Sequence, residues 1–353
     1  MDALKVGLIG YGYAGRCFHA PLIRATAGLS LVAVASRDPA QVQRALGPAV
    51  AVLDPGALIA RDDIDLVVIA APNEQHHPLA LAALQAGRHV VVDKPFALDA
   101  QQAASLVAEA EGRARVLSVF HNRRWDSDYL TLRAVLRDGR LGRPVAFSTH
   151  FDRYRPQVRA RWREGDGPGS GLWMDLGPHL VDQALQLFGP PSSIGLDQAR
   201  LRDGALSDDW FLARLRWDRG PNGGLVALLQ ASMLAARPGP RFTLHGSAAT
   251  FEVEGLDPQE AALAAGAEPA RIAGPDWGRD DRRASLWHSD GQAATATPWP
   301  LAAGAYPAYY AGVRDALLGL GPSPVTAAEA LAVQRLLDAG RRSAQQRREL
   351  ALD

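Results

Sequence analysis

Six residues constrain this chain more than any others: Gly10-Tyr11-Gly12-Tyr13-Ala14-Gly15, directly after the apolar run Leu4–Ile9. A glycine-rich turn between a strand and a helix lets backbone approach a pyrophosphate closely and presents helix N–H groups to it. Gly10 and Gly12 would serve the turn and the close approach, and Gly15 the packing of helix on strand, with Tyr13 and Ala14 completing the loop. Alone, such a glycine pattern is a weak signal, because glycine triplets also occur in ordinary turns. Its context strengthens it: a strand pattern before, a helical pattern after, and a second strand ending at the expected distance. A second signal, Asp93-Lys94-Pro95, follows the run Val90–Val92. It places a lysine at the end of a later strand of the same sheet, facing the crevice where a dinucleotide lies.

The surrounding pattern supports an α/β reading. Runs rich in Val, Ile and Leu at Lys5–Ile9, Leu31–Ser36, Leu66–Ala71, His89–Val92 and Val116–Phe120 suit strands covered on both faces. Helical stretches lie between them, such as His77–Ala86 and Asp99–Glu111, each followed by a glycine at a natural stop. This is the alternation of a doubly wound parallel sheet, a Rossmann domain expected over residues 1–122. After Phe120 the pattern changes. Val145–Phe151, Trp210–Trp217, Leu225–Met233, Phe242–Leu244 and Phe251–Val253 read as strands with few helical crossovers, and His245-Gly246-Ser247 reads as a hairpin turn. Helices are expected at Ser127–Asp138, Pro178–Leu187, Tyr306–Leu318 and Ala327–Leu350, and Pro258–Pro300 reads as irregular loop. Residues 123–353 are therefore expected to form an α+β domain on a large, mainly antiparallel sheet.

Bulk properties narrow the partners. At 353 residues two domains are expected, since single cores rarely grow past about 250–300 residues. The 38 basic residues balance 38 acidic ones, so no overall field favours nucleic acid or a membrane surface. The longest central apolar stretch, Leu225–Ala236, is too short to span a bilayer. The single Cys17 excludes an internal disulfide and reads as a small packed residue on the first helix. No signal-peptide pattern opens the chain, and a cytoplasmic location is expected.

Several segments could carry chemistry. The second strand ends in Ser36-Arg37-Asp38. Ser36 and Arg37, coming before the acidic residue, suit a ribose 2′-phosphate and favour NADP, although Arg37 stacking on adenine would tolerate NAD as well. Pro72, Asn73 and His76 follow the third strand expected here and should line the same crevice, as should Asp93 and Lys94. No metal site is expected, because adjacent His76 and His77 rarely chelate one ion and no His-Glu-x-x-His or cysteine pair is present. Asp175 and His179 lie four residues apart, so on a helix they share a face. Pro178 fits a first turn, which puts both near a helix N-terminus, and a capping role for Asp175 competes with a catalytic one. Asn122, Arg123 and Trp125, with Tyr154, are candidate contacts for a polyol or sugar, and Arg161 and Trp162 for cofactor. A solvated basic surface is the competing reading for about half of them.

Together, the glycine motif, Asp93-Lys94-Pro95 in place of the more usual Glu-Lys-Pro, and Asp175-Leu176-Gly177-Pro178-His179 resemble the glucose–fructose oxidoreductase/inositol dehydrogenase (Gfo/Idh/MocA) family. The resemblance covers essentially the whole chain. Phe18-His19-Ala20-Pro21-Leu22, His121–Asp126, Tyr154-Arg155-Pro156, Arg161–Glu164, Asp257–Glu260 and Pro275–Gly278 are similar to the branch that contains NADP-dependent scyllo-inositol 2-dehydrogenase. The last two imply that the loop-like region is ordered. The resemblance implies that Lys94, Asp175 and His179 surround a reacting alcohol, with His179 or Lys94 taking its proton. It further implies an inositol-like polyol or sugar substrate, NADP or NAD as cofactor, and a homodimer or homotetramer. Two other readings stay open: a non-catalytic NAD(P)-binding regulator of the same fold, and a member that uses bound NAD internally to cleave glycosides.

Overall fold

The computed structural model describes residues 3–352, which form two compact units. The first contains the chain through Trp125 together with Pro258–Gly278 and Ala305–Gln334; the second contains Asp126–Asp257, Arg279–Gly304 and the chain from Arg335 on. The units are therefore not contiguous in sequence, unlike a simple division into 1–122 and 123–353.

The first unit is built on six parallel strands: β1 (Leu4–Ile9), β2 (Leu29–Ala35), β3 (Ala51–Leu53), β4 (Leu66–Ile69), β5 (His89–Val92) and β6 (Leu117–Val119). Their order is β3-β2-β1-β4-β5-β6, so the winding reverses between β1 and β4, where ligands bind in sheets of this kind. β4 is Leu-Val-Val-Ile with every residue fully buried, each side chain worth about 1.5–3 kcal/mol against exposure. The short β3, without a long apolar run, was not expected. Asp38, Asp54 and Asp99 start the helices Pro39–Leu46, Pro55–Ala60 and Ala100–Gly112 by accepting the N–H of Gln41, Ala57 and Gln102 at 2.9, 2.9 and 2.8 Å.

The expectation of irregular loop over Pro258–Pro300 is corrected. Helices Gln259–Ala264 and Pro269–Ile272 join the first unit, and two strands join the second. The buried Gln259 explains the first part. Its Nε2 donates to the Trp125 carbonyl at 3.0 Å, while its Oε1 accepts from Trp277 Nε1 and from the Tyr306 N–H, both at 2.8 Å. Long-range polar ties thus organise a segment without local periodicity.

The second unit carries β7 (Pro144–His150), β8 (Ser193–Ala199), β9 (Trp210–Arg216), β10 (Val226–Ser232), β11 (Phe242–Gly246), β12 (Thr250–Val253), β13 (Arg283–Ser289), β14 (Ala294–Pro300) and β15 (Leu350–Ala351). They form one sheet in the order β14-β13-β12-β11-β7-β10-β9-β8-β15, antiparallel except for the β7/β10 pair. β11 and β12 form the expected hairpin. The helix Leu172–Phe188 packs on β9 and β10. It starts six residues earlier than expected, so Pro178 lies inside it rather than in its first turn. Pro178 cannot bond the Met174 carbonyl, yet apolar burial on both sides keeps the helix continuous. Gly177 makes room there, since a Cβ would sit 2.8 Å from the Trp173 ring.

Candidate active site

In the first unit, the glycine loop leaves β1 at the switch point. Gly10 has φ 101°, and a Cβ on it would lie 2.4 Å from the Ala70 carbonyl oxygen. A Cβ on Gly15 would lie 2.0 Å from the Gly10 oxygen, so close packing demands glycine at both. Gly12 differs: a Cβ there meets no protein atom within 4 Å, so the protein itself does not require glycine. This open space over a helix start fits the approach of a pyrophosphate. Tyr13 is half-exposed and donates to Glu260 at 3.2 Å, and the same glutamate accepts from the buried Arg123 at 2.5 Å. Ala14 lies half-buried beside it.

At the tip of β2, Asp38 turns away into its helix cap, and its own N–H is held by Ser36 Oγ at 3.1 Å. The Arg37 guanidinium is exposed and has no ion pair among the described residues. Pro72 is exposed and Asn73 buried at the end of β4. His76, buried, lies with Nδ1 2.7 Å from the Pro95 carbonyl and Nε2 3.0 Å from that of Ala71, bracing the turn after β5 against the turn after β4.

Asp93 and Lys94 occupy that turn. Asp93 is buried and Lys94 half-buried, and Asp93 Oδ1 accepts the Lys94 backbone N–H at 2.8 Å. Burial raises the Asp93 carboxyl, but the neighbouring His19, Lys94 and His76 outweigh it and hold the group at about 2. Asn122 is buried just past β6, and the Trp125 ring meets the Tyr309 ring edge-on at 5.7 Å. Cys17 is packed, and burial raises its thiol pKa.

In the second unit, Asp175 and His179 share a face of the helix Leu172–Phe188, His179 buried and Asp175 half-buried. Arg163 approaches Asp175 at 3.5 Å and lies over the Trp162 ring at 4.4 Å. Arg161 donates to Glu164 at 2.6 Å. Arg202 bridges Glu164 at 3.0 Å and Asp209 at 2.9 Å, and its other N–H groups hold the carbonyls of Arg155 and Gln157. Arg161, Arg163, Glu164, Asp175, Arg202 and Asp209 line one small cleft together with Asp208, Gly171 and Met233; His179 is not among its lining residues. Tyr154 is exposed, and its backbone bridges to Leu234.

Sequence reasoning singled out neither His19, Glu260 nor Asp208 as site residues, nor Arg202 and Asp209. The first two sit in segments quoted for the family resemblance; nothing local marks the other three.

Two family models match the chain: "Oxidoreductase family, NAD-binding Rossmann fold" over residues 4–121 and "Oxidoreductase family, C-terminal alpha/beta domain" over residues 133–352. The chain is 48% identical over 351 residues to the uncharacterized oxidoreductase YdgJ of Escherichia coli, covering 99% of both. It is 32% identical over 358 residues to the scyllo-inositol 2-dehydrogenase (NADP(+)) IolW of Bacillus subtilis, covering 100% of this chain and 97% of that one. The solved structure of YPO2259 from Yersinia pestis superposes with a TM-score of 0.93 at 47% identity, over 100% of this chain and 98% of the other. No helix among the described residues is long and apolar enough to cross a membrane.

Proposed function

The chain belongs to the Gfo/Idh/MocA oxidoreductase family, with its NAD-binding Rossmann domain, and from that premise we propose that it moves a hydride between NADP and a secondary alcohol of a neutral cyclic polyol or sugar, such as an inositol. The observation that carries the substrate class is the charge pairing of the second-unit cleft. Arg161 and Arg202 are engaged by Glu164 and Asp209, and Arg163 by Asp175. No guanidinium of this cleft is left over for an acidic substrate, whereas the alternating donors and acceptors suit hydroxyl groups. The naming of IolW for scyllo-inositol and NADP supports the same reading.

A bound nicotinamide would supply the hydride acceptor, and this chain's residues handle the proton. Resemblance to the family motif supports placing Lys94, Asp175 and His179 at the alcohol. His179 accepts the hydroxyl proton as the C–H bond gives up its hydride and the carbinol becomes a ketone. Lys94 stabilises the negative charge that develops on oxygen, and Asp175, held by Arg163, orients the hydroxyl. Ser36 and Arg37 would hold a 2′-phosphate and the loop Gly10–Gly15 a pyrophosphate, while Pro72, Asn73 and His76 would line the same crevice.

The test is a screen of inositols and aldoses with NADP and with NAD, following nicotinamide absorbance. Turnover of an inositol with NADP is expected. Tight cofactor binding with no turnover of any polyol points to the regulator, and retained NAD with glycoside cleavage but no net reduction points to the internal redox reading.

A further inference from the structure

His19 has no part in the reading above. Its ring is completely buried in the first turns after the glycine loop, packed on Phe120 with centroids 4.5 Å apart. Nδ1 lies 2.6 Å from Tyr310 Oη, and Nε2 faces Asp93 Oδ2 at 3.9 Å. The other Asp93 oxygen holds the Lys94 backbone N–H. Tyr310, His19, Asp93 and Lys94 thus form one file through the first unit.

The ring's proton can sit on either nitrogen. On Nδ1, it would leave the Nε2 lone pair facing a carboxylate, a repulsive arrangement. With the Tyr310 hydroxyl donating to Nδ1, the proton sits on Nε2 and points at Asp93. Tyr310 suits the donor role: burial, reinforced by Tyr309 and Asp93, raises its pKa well above the ordinary value and keeps the phenol protonated. At 3.9 Å the Nε2 contact is longer than a hydrogen bond, but charge–dipole attraction is strong in a buried site. The spacing also fits the shorter acid. A glutamate, reaching about 1.5 Å further, would press its carboxylate onto the ring.

We propose that His19, backed by Tyr310, is a positioning residue for Lys94. Its Nε2–H steadies the Asp93 carboxylate against the Lys94 backbone, so that aspartate serves where the resembling motif has glutamate. This role rests on Lys94 acting in the reaction proposed above.

Two measurements test it independently. The first needs no substrate: imidazole 15N spectra of histidine-labelled protein, with the His19 signals identified by their loss in His19→Gln. The Nε2–H tautomer is expected in the intact protein, giving way to a tautomer mixture in Tyr310→Phe. An Nδ1–H tautomer in the intact protein overturns the proposal even if the variants misfold. The second is kinetic, with whichever alcohol turns over. His19→Phe keeps the ring and should lower kcat roughly tenfold, the scale of one lost contact to a charged group, with the cofactor KM little changed. His19→Gln, which keeps a donor near the Nε2 position, should recover most of the loss. Equal kcat in all three proteins while Lys94→Ala is inactive overturns the positioning role; full activity in Lys94→Ala instead removes the catalytic reading on which it rests.

Discussion

Asp208 reaches from the β8–β9 connection to accept the backbone N–H of Trp173 at 2.7 Å, capping from a distance the helix that carries Asp175 and His179. The contact passes over Gly171, whose φ of 96° and ψ of 162° lie in a region open essentially to glycine. A Cβ there would sit 2.0 Å from Asp208 Oδ1. Gly171→Ala is therefore expected to cost about 1–3 kcal/mol in denaturant unfolding and to lower kcat by moving the helix start. A variant of unchanged stability and activity would contradict this account.

The same aspartate gives stability a pH dependence. Burial pushes the Asp208 carboxyl up to about 6, partly offset by hydrogen bonds from Trp173, Gln198 and Leu172. Its folded value exceeds the unfolded one, so the folded state holds the proton longer. Its contribution is fully present below about pH 4 and is lost as pH rises through 6. Asp208→Asn keeps an acceptor for Trp173 and loses the titration. The variant should gain in Tm relative to the parent between pH 4 and 7, and a constant difference over that window would refute the assignment.

Lys94→Ala should leave the fold and cofactor binding intact while lowering turnover by roughly 10²–10⁴-fold, the scale of a positioned acid–base group. Thermal melts and nucleotide fluorescence separate a folding defect from a chemical one. Comparing pH–rate profiles of Lys94→Ala and His179→Ala tests the assignment of the proton to His179: loss of the limb set by the catalytic base in Lys94→Ala but not in His179→Ala would overturn it.

Cofactor choice turns on the tip of β2. Asp38 is committed to its helix cap, which leaves Ser36 and the exposed Arg37 to meet a 2′-phosphate. A charge-assisted contact of this kind is worth about 1.5–3 kcal/mol, or roughly 10–150-fold in affinity for NADP over NAD. Arg37→Ala should shrink or reverse that preference. Equal kcat/KM with both cofactors in the unmodified protein would leave Arg37 only an adenine contact.

The second unit's sheet has one face against the helix Leu172–Phe188, while Trp210, Leu212, Val226 and Leu228 lie on the other, only partly buried. Arg214, Arg216 and Gln230 are interleaved with them, so the face is mixed rather than purely apolar, and its apolar members still favour burial against a second copy. A dimer or tetramer is expected by light scattering, and Leu228→Lys should weaken it. A monomer across a wide dilution range would contradict this.

Much of the architecture was legible locally. Val, Ile and Leu runs alternate with capped helices because strand and helix periods are written within a few residues, and the glycine loop carries its own steric reason in Gly10 and Gly15. Lys94 was readable for the same cause, as a residue at the end of a strand. His179 and Asp175 were readable as an i, i+4 pair, but their place in the helix was not. Local rules put Pro178 in a first turn, and packing overrode them.

The sequence alone, then, determined the dinucleotide fold, the motif residues and the presence of a second sheet-based unit. Tertiary structure alone decided that residues 258–278 and 305–334 complete the first unit, that Arg202 is bound to Glu164, and that His19 stands against Asp93. These are contacts between residues far apart in the chain. No periodicity records them, because a buried Gln259 or His19 finds its partners only after the strands have brought distant segments together.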